Sequence, residues 1–376
     1  MKIFLKKALS DSFHIMIFII LAYPYLMEPL MKRCLYFAFI AMCLIGCKKK
    51  SGNTQDIDYS CDCSKYGKNL ITMIIDHPLS LFPASNDRGN WGYMNSAGNM
   101  VINASFKDLN WFSHDLAVAW LESNSELKGG VISTDGTFAI NAIFPQLGNY
   151  FSKEGLIRVG NSYQYWAYMN GNGGLITTYN YSEALDFYEG RAVVKYLNRY
   201  GAIDGNGTMV IPNNYTYLGI FSEGKAFAAD FNGWLGYIGL NNDYIISPRY
   251  SATGIFVNGF AVVRDTVSPL FGFINSRGDY LVSPAFDDAG PFWEYLAAVK
   301  INNKWGFIDT LGNMAIQPQF DDILSGFCEN LAGIEMGNLW GYADKTGNTV
   351  IQPQFKEIDV FYCGLAMVLF DDMHTG

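Results

Sequence analysis

The chain has 376 residues, with 26 Lys and Arg against 35 Asp and Glu, a formal net charge of −9. An acidic chain without a basic stripe repels a phosphate backbone, which excludes nucleic acid as a partner. Phe, Trp and Tyr make up 16% of it, enough to supply large packing surfaces, since each such ring buries roughly 150–250 Å².

In chain order, residues 1–30 hold an apolar stretch from Phe13 to Met27, broken by Pro24. They are expected to be an upstream extension, with translation starting at Met31; the rival is a membrane helix at 13–27. Met31-Lys32-Arg33 is basic, Cys34 to Ile45 is apolar, and Leu44-Ile45-Gly46-Cys47 precedes Lys48-Lys49-Lys50. The apolar run is short of the ~20 residues a span needs. Basic start, apolar core and small residue before Cys make a secretory signal. The L-I-G-C ending resembles the lipobox of bacterial lipoproteins. That resemblance implies a signal peptide over 31–46, cleavage before Cys47 and diacylglycerol on its sulfur. It implies a membrane-anchored lipoprotein of the bacterial cell envelope, periplasmic or surface-exposed. Two or three acyl chains anchor stably where one is marginal. Residues 47–69 then form a polar tether, with Lys48 to Lys50 near anionic headgroups. Losing residues 1–46 leaves 21 basic and 33 acidic residues.

From residue 70 to 376 the chain is one repeat domain. A small residue following an aromatic or its equivalent recurs at Gly92, Gly130, Ala167, Gly201, Gly236, Gly272, Gly306 and Gly341, at steps of 34 to 38 residues. A period of this length means a stacked array. Copies two to four are worn: Gly129-Gly130 lacks the Trp, and Tyr165-Trp166-Ala167 and Arg199-Tyr200-Gly201 depart from the later copies. In copy seven, Trp305 to Asp309 reads as strand A, and Asp309 to Asn313 as a tight turn in which Gly312 takes positive φ. Met314 to Ile316 reads as strand B, ended by Pro318. Residues 320–327 read as a loop, and Leu331 to Ile334 as strand C. The turns at Gly233, Asn302-Asn303 and Gly337-Asn338 join strand C to the next strand A.

The expected fold is all-β: about eight copies of a ~35-residue three-stranded antiparallel meander, forming a propeller-like closed ring or an open β superhelix. The Gly after Trp lets a neighbouring ring or backbone approach closely. The Trp and the Phe after Pro are expected to join adjacent copies. Copy one shows no strand C before Trp91, and the chain ends soon after Leu365–Phe370, so ring closure is expected to pair Leu365–Phe370 with Trp91–Asn95. In the open alternative, residues 70–76 cover one end.

Trp91-Gly92-Tyr93, Trp305-Gly306-Phe307-Ile308-Asp309 and Trp340-Gly341-Tyr342 resemble the WG repeat, a mostly bacterial family. So do Pro248-Arg249-Tyr250, Pro284-Ala285-Phe286, Pro318-Gln319-Phe320 and Pro353-Gln354-Phe355. The resemblance covers about residues 90–371. It implies an all-β scaffold regarded as a binding or interaction module, and it carries over no catalytic residue.

Chemistry-bearing residues are few. His14, His77, His114 and His374 are the only histidines; none sits in a catalytic motif, so no catalytic residue, metal or cofactor is expected. Asp287-Asp288, Asp321-Asp322 and Asp371-Asp372 are expected to be turn caps with solvated charge; the functional alternative is calcium between copies, which needs 6–8 oxygens. Cys61, Cys63, Cys328 and Cys363 remain after processing. Cys328 and Cys363, 35 residues apart, are candidates for a disulfide between adjacent copies. Cys61-Asp62-Cys63 lacks a His at ligand spacing, so zinc is not expected. Trp111, Trp120, Trp166 and Trp293 stand outside the motif and are the candidate contact aromatics, although repeat core is the commoner fate of such rings. The functional expectation is a lipid-anchored module that binds an envelope protein, peptide or glycan. The alternatives are a carbohydrate-active hydrolase on the same scaffold and a structural envelope protein. Recognition is expected in the B–C loops, the worn copies two to four and the tether.

Overall fold

The computed structural model describes residues 2–6, 16–19 and 81–370, except 87, 96–98, 124 and 362–364. Cys47, Cys363, His77, residues 70–76, the tether and the signal segment lie outside the described residues. The chain divides into two compact units, Lys68–Arg249 and Met1–Gly67 with Tyr250–Gly376. It is all-β. Strand A occurs in all eight copies: Trp91–Met94, Glu126–Ser133, Trp166–Asn170, Arg199–Ile203, Leu235–Gly239, Phe271–Asn275, Lys304–Asp309 and Leu339–Asp344. Strand C pairs antiparallel with the strand A that follows it, as Leu296–Ile301 does with Lys304–Asp309. No helix among the described residues is long and apolar enough to cross a membrane.

The segment between strands B and C is not merely a loop. It contributes a fourth strand, D, which pairs with strand C of the next sheet. Asp322–Ile323 pairs with Leu331–Met336, and Tyr217–Leu218 with Lys225–Ala229. A complete sheet therefore runs D, C, A, B, as in Glu183–Tyr188, Arg191–Tyr196, Arg199–Ile203 and Met209–Tyr215. This four-stranded meander is the sheet form of a propeller blade. The expected three strands undercount the sheet because two residues of pairing leave no legible period.

Copy one does have a strand before Trp91. Phe82–Ser85 pairs with Trp91–Met94, whose other edge is held by Met100–Phe106. Leu365–Phe370 lies between Thr349–Ile358 and Lys2–Lys6. Both edges of Trp91–Met94 are thus taken, and the pairing expected between Leu365–Phe370 and Trp91–Asn95 is not made. Lys2–Lys6 also pairs with Met16–Ile19.

The recurring glycine has a specific neighbour. A Cβ at Gly306 would lie 2.5 Å from the carbonyl oxygen of Ile316, and one at Gly92, Gly201, Gly236, Gly272 or Gly341 would lie 2.3 to 2.6 Å from the equivalent carbonyl of strand B. The approach is backbone on backbone, and it is caused by a bulge. Trp305 pairs with Phe320 and Phe307 with Ile316, so Gly306 alone faces Gln317, Pro318 and Gln319. The extra residues bend strand B toward strand A. Pro318 tolerates this site because it donates nothing to the ladder. Copy three carries Ala167 instead. There the sheet has three strands, and the strand B position makes only the isolated bridges Trp166 with Tyr181 and Met169 with Leu175.

Turns follow the sequence closely. The Asp309 carboxylate accepts from the amides of Leu311 and Asn313, both at 2.9 Å, and Gly312 has φ of 85°. Asp344, Asp204 and Asn170 repeat the arrangement. The C–A hairpins at Leu197-Asn198, Asn302-Asn303 and Gly337-Asn338 have positive φ at both central residues, the type I′ form that suits strand twist.

A second motif governs packing. Each copy has a Phe just before strand C, in Phe187-Tyr188-Glu189-Gly190, Phe221-Ser222-Glu223-Gly224, Phe292-Trp293-Glu294-Tyr295 and Phe327-Cys328-Glu329-Asn330. These phenylalanines are buried. Each packs on the residue after the recurring glycine, which lies in the preceding sheet: Tyr168 on Phe187, Phe273 on Phe292 and Phe307 on Phe327, at centroid distances of 5.1, 5.2 and 4.8 Å. Trp305 and Phe320 join the same cluster as Phe327, Ala332 and Ile334, so they too bridge copies as expected. The turn after each Phe is latched to its neighbour. The Glu189 carboxylate accepts from the amides of Glu223 and Gly224, both at 2.8 Å. Asn258 donates to the carbonyl of Phe292, and Ser113 to that of Phe151. The B–C segment is therefore part of the scaffold as well.

Gly306→Ala is expected to destabilise the chain by about 1–3 kcal/mol, because neither backbone can yield without opening the bulge. Denaturant unfolding measures this, and an unchanged midpoint would refute the close-approach account.

Candidate interaction site

The expected site residues land in different surroundings. Trp111 is exposed. Trp120 is half-buried and packs with Val118, Leu147 and Phe151. Trp166 is half-buried, with the Arg158 guanidinium 5.1 Å from its ring centroid. Trp293 packs over Gly326, where a Cβ would meet its ring at 2.0 Å. Three of the four rings therefore contribute to packing. The Cys328 thiol donates to the carbonyl of Phe361, at 3.1 Å, two residues before Cys363.

The paired aspartates serve the backbone. Asp287 accepts from the amide of Asn302 at 2.8 Å, and Asp321 from that of Gly337 at 2.9 Å and from Lys304 Nζ at 2.5 Å. Asp288 and Asp322 each accept from the amide of the following residue. Asp371-Asp372 lies outside the described residues. Among the described residues no group of three or more His, Cys, Asp and Glu is placed to hold a metal ion.

Two features of the worn copies escaped the sequence. The first is a buried polar cluster. Arg158 Nε lies 3.0 Å from Asp186 Oδ1, and its Nη1 donates to the carbonyl of Ala184 at 2.9 Å. Tyr150 and Tyr188 join hydroxyls at 2.9 Å beside the pair. Burial, and after it the Asp186 carboxylate, push the Tyr188 phenol up to about 12. The Tyr150 phenol is raised for the same two reasons. Tyr168, also raised chiefly by burial, donates to the carbonyl of Leu185 at 2.5 Å. Arg158 Nε lies close to the carboxylate without a hydrogen bond of its own, and the cluster ties Leu156–Gly160 to Glu183–Tyr188 of the adjacent sheet.

The second is a run of exposed apolar side chains, most of them aromatic, at C–A hairpin tips. Copy three presents Tyr163 and Tyr165, copy four Leu197, and copy five Phe231 and Trp234; Tyr163, Leu197 and Phe231 are 83%, 76% and 79% exposed. All belong to the unit Lys68–Arg249. Successive tips communicate. Arg199 lies 5.2 Å from the Phe231 ring centroid at the next tip, and Tyr196, at the end of the strand C that leads into copy four, meets Tyr181 at 6.5 Å. Below the tips Tyr200, Tyr217 and Phe227 continue the aromatic layer. The tips are held rigidly: Asn161 accepts from the amides of Tyr163 and Tyr165, and Asp230 from those of Asn232 and Trp234.

Folded, hydrogen-bonded hairpins repeated along a stacked meander define an all-β repeat protein. The chain belongs to the WG containing repeat family, whose pattern matches residues 91–119, 166–200, 200–229, 236–265, 271–305, 305–340 and 340–373. Worn copy two falls between the first two matches. No curated protein sequence matches the chain. The crystal structure of a eukaryotic initiation factor is similar in fold, with a TM-score of 0.52 and 10% identity over 75% of this chain and 87% of that one. BamB from Moraxella catarrhalis aligns with a TM-score of 0.39 and 12% identity over 80% of this chain and 97% of that one.

Two outcomes follow from the buried cluster. Asp186→Ala leaves the Arg158 charge uncompensated and is expected to cost about 3 kcal/mol in denaturant unfolding; a loss indistinguishable from zero contradicts it. The folded state holds the Tyr188 proton more tightly than the unfolded chain, whose tyrosines titrate near 10. The stability this confers is complete below about pH 10 and is lost as pH rises from there toward 12. Tyr188→Phe is therefore expected to raise the midpoint of alkaline unfolding, followed by tyrosinate absorbance; an unmoved midpoint counts against the burial argument.

Proposed function

We propose that the protein is a binding module of the bacterial cell envelope, held to the membrane by a lipid on Cys47 and acting by recognition, not by catalysis. The observation that carries this reading is the set of exposed apolar side chains on hydrogen-bonded hairpins of three consecutive copies, rings in copies three and five and Leu197 in copy four. Exposed apolar groups on an ordered scaffold mark interaction surfaces, and loops on rigid frames carry recognition. The carboxylates with a recurring position are engaged by backbone amides, which leaves them structural. Asp, Asn and Glu side chains close the turns, and the shared glycines and phenylalanines pack copies together. Recognition then falls to what the copies do not share.

The envelope location rests on the Leu44-Ile45-Gly46-Cys47 segment and the polar run behind it. The same oxidising location suits a Cys328–Cys363 disulfide. The Cys328 thiol already reaches across to the next copy, where it meets Phe361.

Cys47→Ser is expected to abolish labelling by a clickable fatty acid and to move the protein out of the detergent-phase membrane fraction. Labelling that persists in the variant would overturn the anchor, and mass spectrometry of the N-terminal peptide locates the processing site independently.

A further inference from the structure

The hairpin between strands C and A needs no ring at its tip, whether it is a type I′ turn as at Leu197-Asn198 or a turn capped by Asn161 or Asp230 with a single positive φ at Gln164 or Gly233. Asn302-Asn303 and Gly337-Asn338 make it with amide and glycine residues. Copies three to five nevertheless place Tyr163, Tyr165, Leu197, Phe231 and Trp234 there. Exposed rings of this kind reduce solubility and add nothing to the hairpin, so their placement asks for a ligand.

The local charge describes that ligand. Arg199 and Lys195 are matched by Glu183 and Asp230. Lys195 Nζ lies 2.6 Å from Glu183, which also accepts from the Tyr200 hydroxyl at 2.6 Å. Arg199 lies over the Phe231 ring, and Asp230 is engaged by its own turn. Two positive and two negative charges leave this edge neutral on a chain of net charge −9. A neutral edge complements an uncharged partner. Anionic lipid would need an excess of Lys and Arg, as would nucleic acid. The uncharged polar groups beside the rings are Gln164, Asn198 and Asn232, amides that both donate and accept.

The arrangement is also repeated. Rings stand at the tips of copies three and five, with Leu197 at the tip between them, so the apolar groups project separately and not as one contiguous patch. A protein partner of ordinary size needs about 800 Å² of closely packed surface on each side, which separate projecting rings do not provide. A chain of sugar rings has apolar C–H faces for aromatic stacking, hydroxyls for amides, and a repeat of its own.

We propose that the C–A hairpin tips of copies three to five bind a neutral polysaccharide chain, stacked on Tyr163, Phe231 and Trp234 and hydrogen-bonded by the neighbouring amides. This rests on the binding-module reading and names its ligand class and its contact residues.

The test is affinity electrophoresis of the full chain in neutral detergent through gels containing soluble β-glucan, mannan or xylan. The unsubstituted chain is compared with Tyr163→Ser/Phe231→Ser/Trp234→Ser and with Leu311→Ser, an equally exposed residue at an A–B turn. At least one polysaccharide is expected to retard the unsubstituted chain and Leu311→Ser alike, and the triple variant at least 10-fold less. Circular dichroism checks that the triple variant is folded; if it is not, the single variants Tyr163→Ser and Phe231→Ser decide, each expected to lose part of the retardation. Absence of retardation by all three polysaccharides overturns the proposal, as does equal retardation of the folded variants. A photo-crosslinker at Tyr163 that captures a protein in intact envelopes, with no polysaccharide bound, overturns the ligand class while leaving the binding module standing. Binding only to vesicles of anionic lipid likewise overturns the neutral-glycan assignment.

Discussion

Strand B can follow strand A through its bulge only if the residue opposite has no side chain. At Gly306 the space a Cβ would need is taken by the Ile316 carbonyl and the nitrogen of Pro318. Much else depends on this contact. The bulge shifts the register by two residues between Phe307 and Trp305, which brings Phe320 opposite Trp305 and into the cluster shared with the next sheet. It also brings Pro to the part of the ladder where a missing donor is harmless. Trp, Gly, Pro and Phe are thus parts of a single geometric solution, repeated along the chain. Where Ala167 replaces the glycine, the strand B position is reduced to bridges.

Neighbouring sheets are held by two kinds of bond. Apolar contact comes from the residue after the glycine meeting the Phe that opens the next turn, a pair seen in copies as distant as Tyr93 with Phe112 and Tyr342 with Phe361. Polar contact comes from side chains of one turn reaching backbone groups of the next, as Glu189 does at Glu223 and Gly224. Glu294 shows how far this goes. Almost fully buried, its carboxylate accepts from the Asn330 amide and meets Lys345 at 2.9 Å, so one acid ties the turns of three successive copies. Stability of such arrays is a sum of intrinsic and nearest-neighbour terms, and these contacts are the neighbour terms in atomic form.

Much of this was legible from the residues. The period, strand A, the Asp-x-x-Gly turns and the glycine's role in close approach all depend on local chemistry that sequence displays directly. Strand D was not legible, because pairing as short as Asp322–Ile323 leaves no alternation to detect. The Phe-x-Glu-Gly turn was hidden by substitution: His114 and Asn258 stand at the Glu position and Tyr295 and Asn330 at the Gly position, all with positive φ, so different residues meet the same backbone demands. The Arg158 and Asp186 pair could not be foreseen, since neither belongs to the repeated pattern and contact between them requires the stacked sheets. The tip rings were visible as residues but not as exposed ones. Trp166 and Tyr165 are adjacent in sequence, yet only the latter is exposed, a distinction set by which side of the strand each occupies.

Because strand D is supplied by the preceding copy, the unit of sequence and the unit of structure are out of phase. The Trp-Gly boundary that marks a repeat falls inside a sheet, between its second and third strands. No single copy excised at that boundary contains a whole sheet; only a cut between strand B and strand D, as at Asp321, leaves the sheets on either side complete. Copies can therefore be gained or lost by recombination at any phase, provided a full period is exchanged: the junction restores a complete D, C, A, B set from two different parents. The offset that conceals the sheet from the sequence is the same property that makes the array's length readily altered over evolutionary time.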